Sequence, residues 1–168
     1  GRTAMASGES QWITGFKARQ DVHRLRAQSD IVLTGVGTVL ADNPKLTARE
    51  GLGGLSVTQP RIVILDSTLK TPLDAAVFKE GSEVTILTCS HDEPAVLALK
   101  KAGCGVVIVD ANEKGQVDLH AVETWLAMQA LNSVMIEAGA LLNGAFMQMG
   151  MIDELIIYMA PSVLGTEA

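Results

Sequence analysis

Cysteine is nearly absent: Cys89 and Cys104 are the only two in 168 residues, and they lack the CxxC spacing of a redox or metal pair. Buried free thiols in a reducing compartment are therefore expected, with the cytoplasm as the natural location. A surplus of positive charge is also missing. With 13 Lys and Arg against 19 Asp and Glu, the formal charge is −6, which offers no basic field to nucleic acid or to an anionic membrane. No apolar run reaches membrane-spanning length, since the richest stretch, 145–160, is broken by Gln148, Asp153 and Glu154. The opening GRTAMASGES has neither an apolar h-region nor a charged leader and reads as polypeptide entered partway through a domain. His23, His91 and His120 are scattered, without ligand spacing or a Cys partner, which disfavours a zinc site and a Ser-His-Asp hydrolase.

What is present is apolar content. At 48% hydrophobic, the chain can bury one continuous core without disulfides or metals, so a single domain is expected. The pattern predicts a helix capped by Thr14 and running to about Gln28, then a buried strand in DIVLTG. One or two helical turns over 36–41 follow, stopped by Asn43-Pro44, with a glycine loop at 51–54. RIVILD (61–66) and EVTILT (83–88) read as inner strands. After them come a helix over 93–102, a strand in GVVIVD (105–110), a helix over 119–130, a strand in SVMIEAG, a helix over 141–149 and a last strand in ELIIYMA (154–160). Strands alternating with helices, apolar on both faces, indicate an α/β domain with a mostly parallel sheet covered on two sides. Because PSVLGTEA follows the last expected strand at once, strands covering the sheet edge are expected to be missing from this chain.

In such a sheet, ligands bind beyond the carboxyl ends of the strands. Three exits attract attention. After DIVLTG, Thr38 and Asp42 stand one helical turn apart, able to grip a polar ligand or simply to face solvent. Gly35-Val36-Gly37 begins like a GxGxxG fingerprint but has Leu40 at the third position, which disfavours a standard Rossmann site. After SVMI, Glu137 at the end of an apolar strand needs a partner to offset its desolvation, and Gly139 precedes a helix start whose N–H groups suit a pyrophosphate. After RIVIL, Asp66-Ser67-Thr68 with Lys70 offers donors to a phosphate, although a hydroxyl-rich turn explains it as well. Arg26 and Arg49 would suit a substrate phosphate or be plain solvated charges.

SGESQWITG (7–15), RLRAQSDIVLTGVGTVLADNPKLTAR (24–49) and IEAGALLNGAF (136–146), in that order, closely resemble the reductase domain of the bifunctional riboflavin-pathway deaminase/reductase family. The resemblance spans nearly the whole chain. It implies a dihydrofolate-reductase-like fold, a homodimer, and NADPH-dependent reduction of 5-amino-6-(5-phosphoribosylamino)uracil by hydride transfer to the sugar carbon bonded to nitrogen. It matches Ser10, Arg26, Leu46, Arg49 and Glu137 to substrate-contacting positions. Trp12, Thr38, Asp42, Ser67 and the turn Gly139, Ala140, Leu141, Leu142, Asn143, Gly144 and Ala145 match positions that hold NADPH. Ser10, Trp12 and Leu46 rest on the resemblance alone; no general acid is evident. Set against the family, the chain is expected to lack an N-terminal strand and the final strands, and the zinc deaminase half, with its H-x-E and P-C-x-x-C signature, is not among these residues. Two other readings stay open at this point: a non-catalytic nucleotide-binding or regulatory fragment, and a reductase of another pterin or pyrimidine.

Overall fold

The computed structural model describes residues 13–49 and 58–161; Ser10, Trp12 and the glycine loop expected at 51–54 lie outside the described residues. The elements, in chain order, are α1 (Phe16–Gln28), β1 (Ile31–Gly35), α2 (Val36–Asp42), β2 (Arg61–Leu65), β3 (Val84–Thr88), α3 (Glu93–Lys101), β4 (Gly105–Ile108), α4 (Leu119–Ala127), β5 (Val134–Ile136) and α5 (Ala140–Gln148). A short 3-10 turn, Ala76–Phe78, lies between β2 and β3. The strands form one sheet in the order β4-β3-β2-β1-β5, and every ladder is parallel.

Strand periodicity explains why the sheet is covered twice. Successive side chains point to opposite faces. Val32, Ile62, Ile64, Val84 and Ile86 therefore enter one core with Val39 of α2, Leu99 of α3, Leu46 and Val77. Ile31, Leu33, Val63, Leu65 and Leu87 enter the other, with Val122 of α4 and Phe146 of α5. Burying each such Leu, Ile or Val contributes about 1.5–3 kcal/mol, and β1, β2 and β3 bury them on both sides. The expected architecture, a parallel sheet with helices on both faces, is the one observed, and β2 and β3 are inner strands as expected.

Several local expectations need correction. Gly15, not Thr14, is the N-cap of α1, and it makes no side-chain cap; the Thr14 carbonyl instead accepts from Arg19 Nη1 at 2.7 Å. Helix α4 stops at Ala127 rather than Ala130, because the chain tightens into Met128 N–H to Trp125 O and Gln129 N–H to Leu126 O bonds and then turns through Ala130 at φ 50. GVVIVD is a strand only to Ile108 and forms an edge, with Ile108 47% exposed. Cys104 is buried as expected and burial pushes its thiol pKa up, but Cys89 is only half-buried; both are free.

The largest departure is ELIIYMA, which is not a strand. Hydrophobicity alone does not make a ladder, and among the described residues this segment pairs with nothing, leaving Leu155, Ile157 and Met159 exposed. One side chain anchors it: Tyr158 donates its hydroxyl to Asp21 on α1 at 2.6 Å. Burial first, and then the Asp21 carboxylate, push the Tyr158 hydroxyl pKa up to about 12. Among the described residues no helix is long and apolar enough to cross a membrane.

Candidate functional site

The strand order creates a switch point. From β1 the chain moves stepwise through β2 and β3 to β4, then returns to place β5 on the other side of β1. Helix α2 leaves β1 toward one core through Val39, and α5 leaves β5 toward the other through Leu142 and Phe146. The carboxyl ends of β1 and β5 are therefore the general position for a ligand crevice in an open parallel sheet. The two strands are in register, Leu33 opposite Ile136, and the Glu137 N–H donates to the Leu33 carbonyl at 2.9 Å. The Thr38–Asp42 helix and the Glu137–Gly139 turn thus share one rim. At Gly35 an added Cβ would lie 3.2 Å from Leu142 Cδ2, so the glycine lets the two helix starts approach closely.

Glu137 finds the partner that its position demands. Arg26 grips it bidentately, Nε to Oε2 at 2.8 Å and Nη2 to Oε1 at 2.5 Å. Arg26 is the buried residue of α1, and its Nη1 also donates to the Thr47 carbonyl at 3.0 Å. Three of its nitrogens are thus committed to protein acceptors, which ties α1, the end of β5 and the 46–49 segment together. Glu137 itself keeps about a third of its side chain exposed, 32%, so Arg26 does not cover the carboxylate completely.

Leu46 lies at the turn into this segment with φ 54, a conformation that a leucine holds only when its surroundings fix it. They do, because its side chain is 1% exposed within the core. Any contact it makes with a ligand therefore runs through its backbone. Arg49, three residues on, is exposed and makes no side-chain hydrogen bond or ion pair among the described residues.

His23, weighed in the sequence only as a metal ligand or a member of a hydrolase triad, belongs to this cluster. Its Nδ1 lies 3.1 Å from the Thr47 carbonyl and 3.4 Å from the Arg49 backbone nitrogen, donating to the first in one tautomer and accepting from the second in the other. Burial chiefly lowers its pKa; Arg26 and Arg49 lower it further, against the Thr47 carbonyl, which raises it. Its i,i+3 spacing from Arg26 was the available signal.

At the same strand ends, from α5 and α2, stand groups that could hold a cofactor. Helix α5 starts at Gly139 without a side-chain cap, so the first-turn N–H groups of Ala140, Leu141 and Leu142 have no intrahelical acceptor. Nothing lies within 4 Å of a Cβ built on Gly139 or Gly144, and Leu141 is 93% exposed. Asn143 Nδ2 ties the turn by donating to the Ala138 carbonyl at 2.7 Å. Thr38 is half-buried and Asp42 exposed, and neither side chain has a partner among the described residues. The site thus fits a dinucleotide pyrophosphate at a helix N-terminus.

Ser67 stands farther along the rim and is already in use: its Oγ accepts from the Val117 N–H at 2.9 Å. Asp66 points inward, fully buried, and its carboxylate accepts from the Thr71 N–H and hydroxyl, both at 2.7 Å, and from the Thr68 N–H at 3.3 Å. Of the two explanations for this turn, Asp66 fits the structural one.

The sequence profile of the RibD C-terminal domain matches residues 1–168. The chain belongs to the RibD C-terminal domain family. Among similar proteins is the riboflavin biosynthesis protein RibD of Escherichia coli (strain K12), 41% identical, with 100% of this chain aligned to 47% of that protein. Another is the 5-amino-6-(5-phosphoribosylamino)uracil reductase of Buchnera aphidicola subsp. Acyrthosiphon pisum, 34% identical over 98% of this chain and 81% of that one. A solved structure of Acinetobacter baumannii RibD superposes with a TM-score of 0.80 at 39% identity, covering 100% of this chain and 44% of its own. The chain thus spans about half the length of the RibD proteins that it matches. Family membership agrees with the resemblance carried by the three sequence stretches quoted above.

Proposed function

We propose that this chain is an NADPH-dependent oxidoreductase that reduces 5-amino-6-(5-phosphoribosylamino)uracil to its ribitylamino product in riboflavin biosynthesis. One observation supports the reading: the β1/β5 switch point brings a carboxylate held by a buried arginine and an uncapped helix N-terminus to one rim. A relative that the chain matches over 81% of its length bears the name of this reductase.

NADPH, when bound, supplies the hydride that converts the ring-opened ribosylamine into a ribitylamine. The protein's task is to hold the partners in line, which accounts for much of such a rate enhancement. The α5 N-terminus from Gly139 to Ala145, with Thr38 and Asp42, would seat the cofactor, and Ser67 and Trp12 would complete that side. Arg49 would take the substrate phosphate. Glu137, held by Arg26, would orient the pyrimidine by accepting its N–H groups, with Ser10 and the Leu46 backbone as further contacts. No side chain in the described site has the position of an obvious acid, so the final proton would come from water or from the substrate itself.

The protein would act as a homodimer in the cytoplasm, with small molecules as its ligands. The test is loss of reduced-nicotinamide absorbance on adding the aminopyrimidine phosphate, run with NADPH and with NADH. Turnover faster with NADPH is the expected result; binding of NADPH without its oxidation would favour a nucleotide-binding module instead.

A further inference from the structure

Beyond Leu46 the backbone runs past α1 without joining the sheet, although Thr47 and Ala48 are buried. Side chains take the place of a ladder. From one side Arg26 and His23 converge on the Thr47 carbonyl, at 3.0 and 3.1 Å. From the other side Gln59 closes a two-point contact on Ala48: the Ala48 N–H donates to Oε1 at 2.9 Å, and Nε2 donates to the Ala48 carbonyl at 2.8 Å. A carboxamide that meets both backbone groups of one residue reproduces the pairing that a neighbouring strand would supply.

The residue that follows is Arg49, and its guanidinium is left open among the described residues. A long, rotamer-rich side chain gains most for a ligand when the backbone beneath it is already fixed, because less freedom is then lost on binding. Neither Gln59 nor His23 needs to touch the ligand to have this effect.

We propose that Gln59 and His23 are positioning residues, a two-sided clamp that fixes the Thr47–Arg49 backbone so that Arg49 meets the phosphate of a sugar-phosphate substrate in a set place. The proposal rests on the reading of Arg49 as the phosphate ligand, and the test separates the two.

Ribose 5-phosphate is titrated by calorimetry into the wild-type chain, Gln59→Ala, Arg49→Ala and the double variant. Gln59→Ala is expected to weaken binding about tenfold, the scale of a lost pair of hydrogen bonds. The double variant should bind no more weakly than Arg49→Ala alone, since the clamp acts only through that guanidinium. His23→Asn, whose amide nitrogen can stand in for Nδ1, should retain affinity that His23→Leu loses. The Kd for NADPH should stay the same throughout, a result that general loosening of the fold would not give. Where urea midpoints show Gln59→Ala to be poorly folded, the isosteric Gln59→Glu, which keeps the acceptor and loses the donor, gives the same comparison. Wild-type affinity in the Gln59 variants, or losses that add to that of Arg49→Ala, overturns the clamp while leaving Arg49 in its role. Equal binding by wild type and Arg49→Ala removes the phosphate reading, and the clamp with it.

Discussion

Two exits on the same rim of the sheet use their polar groups in opposite ways. At the end of β2, Asp66 turns its carboxylate inward and spends it on Thr71 and Thr68, while the Ser67 hydroxyl receives Val117. At the ends of β1 and β5, Thr38, Asp42 and the α5 N-terminus are left without protein partners among the described residues, as is the Arg49 side chain in the 46–49 segment. The first exit holds itself together; the second is held from behind, by Arg26, His23 and Gln59, and keeps its front free. Position at a strand's carboxyl end therefore does not mark a binding group until its hydrogen bonds have been counted.

The contrast is broken most directly at Asp66. Asp66→Ala strands buried donors and should cost about 3 kcal/mol in urea unfolding, while Asp42→Ala on the open exit should stay within about 0.5 kcal/mol. Comparable losses would erase the distinction. Glu137→Ala leaves the Arg26 guanidinium buried without its carboxylate; partial exposure of Glu137 moderates the effect, to about 2 kcal/mol by the same measurement. Arg49→Ala should leave the unfolding midpoint nearly unchanged yet raise the KM for the phosphorylated substrate by about tenfold or more, with the Kd for NADPH unaffected.

The smallest effect concerns pH. The folded-state pKa of His23 is depressed, so the unfolded chain binds more protons as pH falls from above the ordinary histidine value of 6.5. The stability that neutral His23 contributes is present above that value and is lost as pH falls through the folded pKa. Urea midpoints from pH 7.5 down to about 5 should therefore drop more steeply for the wild type than for His23→Asn. Parallel curves would mean that His23 is not held neutral by its surroundings.

Much of the fold was legible because two-faced burial leaves a simple trace: RIVIL and VTILT are continuous apolar β-branched runs, as strands covered on both sides must be. ELIIYMA carries the same trace and is no strand, since a ladder requires a neighbour and periodicity does not report one. In the site, Glu137 advertised its need for a partner, but nothing in the order of residues named Arg26, which is 111 positions away. Gln59 gave no sign at all, because its contact with Ala48 crosses an eleven-residue separation and involves only backbone atoms of the partner. Leu46 looked like a ligand contact through its match to the family, whereas its side chain belongs to the interior.

That last residue has a wider consequence. Leu46 serves at once as a plug in the hydrophobic interior and as the corner from which the arginine-bearing stretch departs. Packing defects nearby, for example at Val39 or Ile62, would tilt that corner and register as poorer ligand capture before the molecule melts. On the proposed role of Arg49, repacking the interior for thermal tolerance and preserving substrate affinity become one engineering problem.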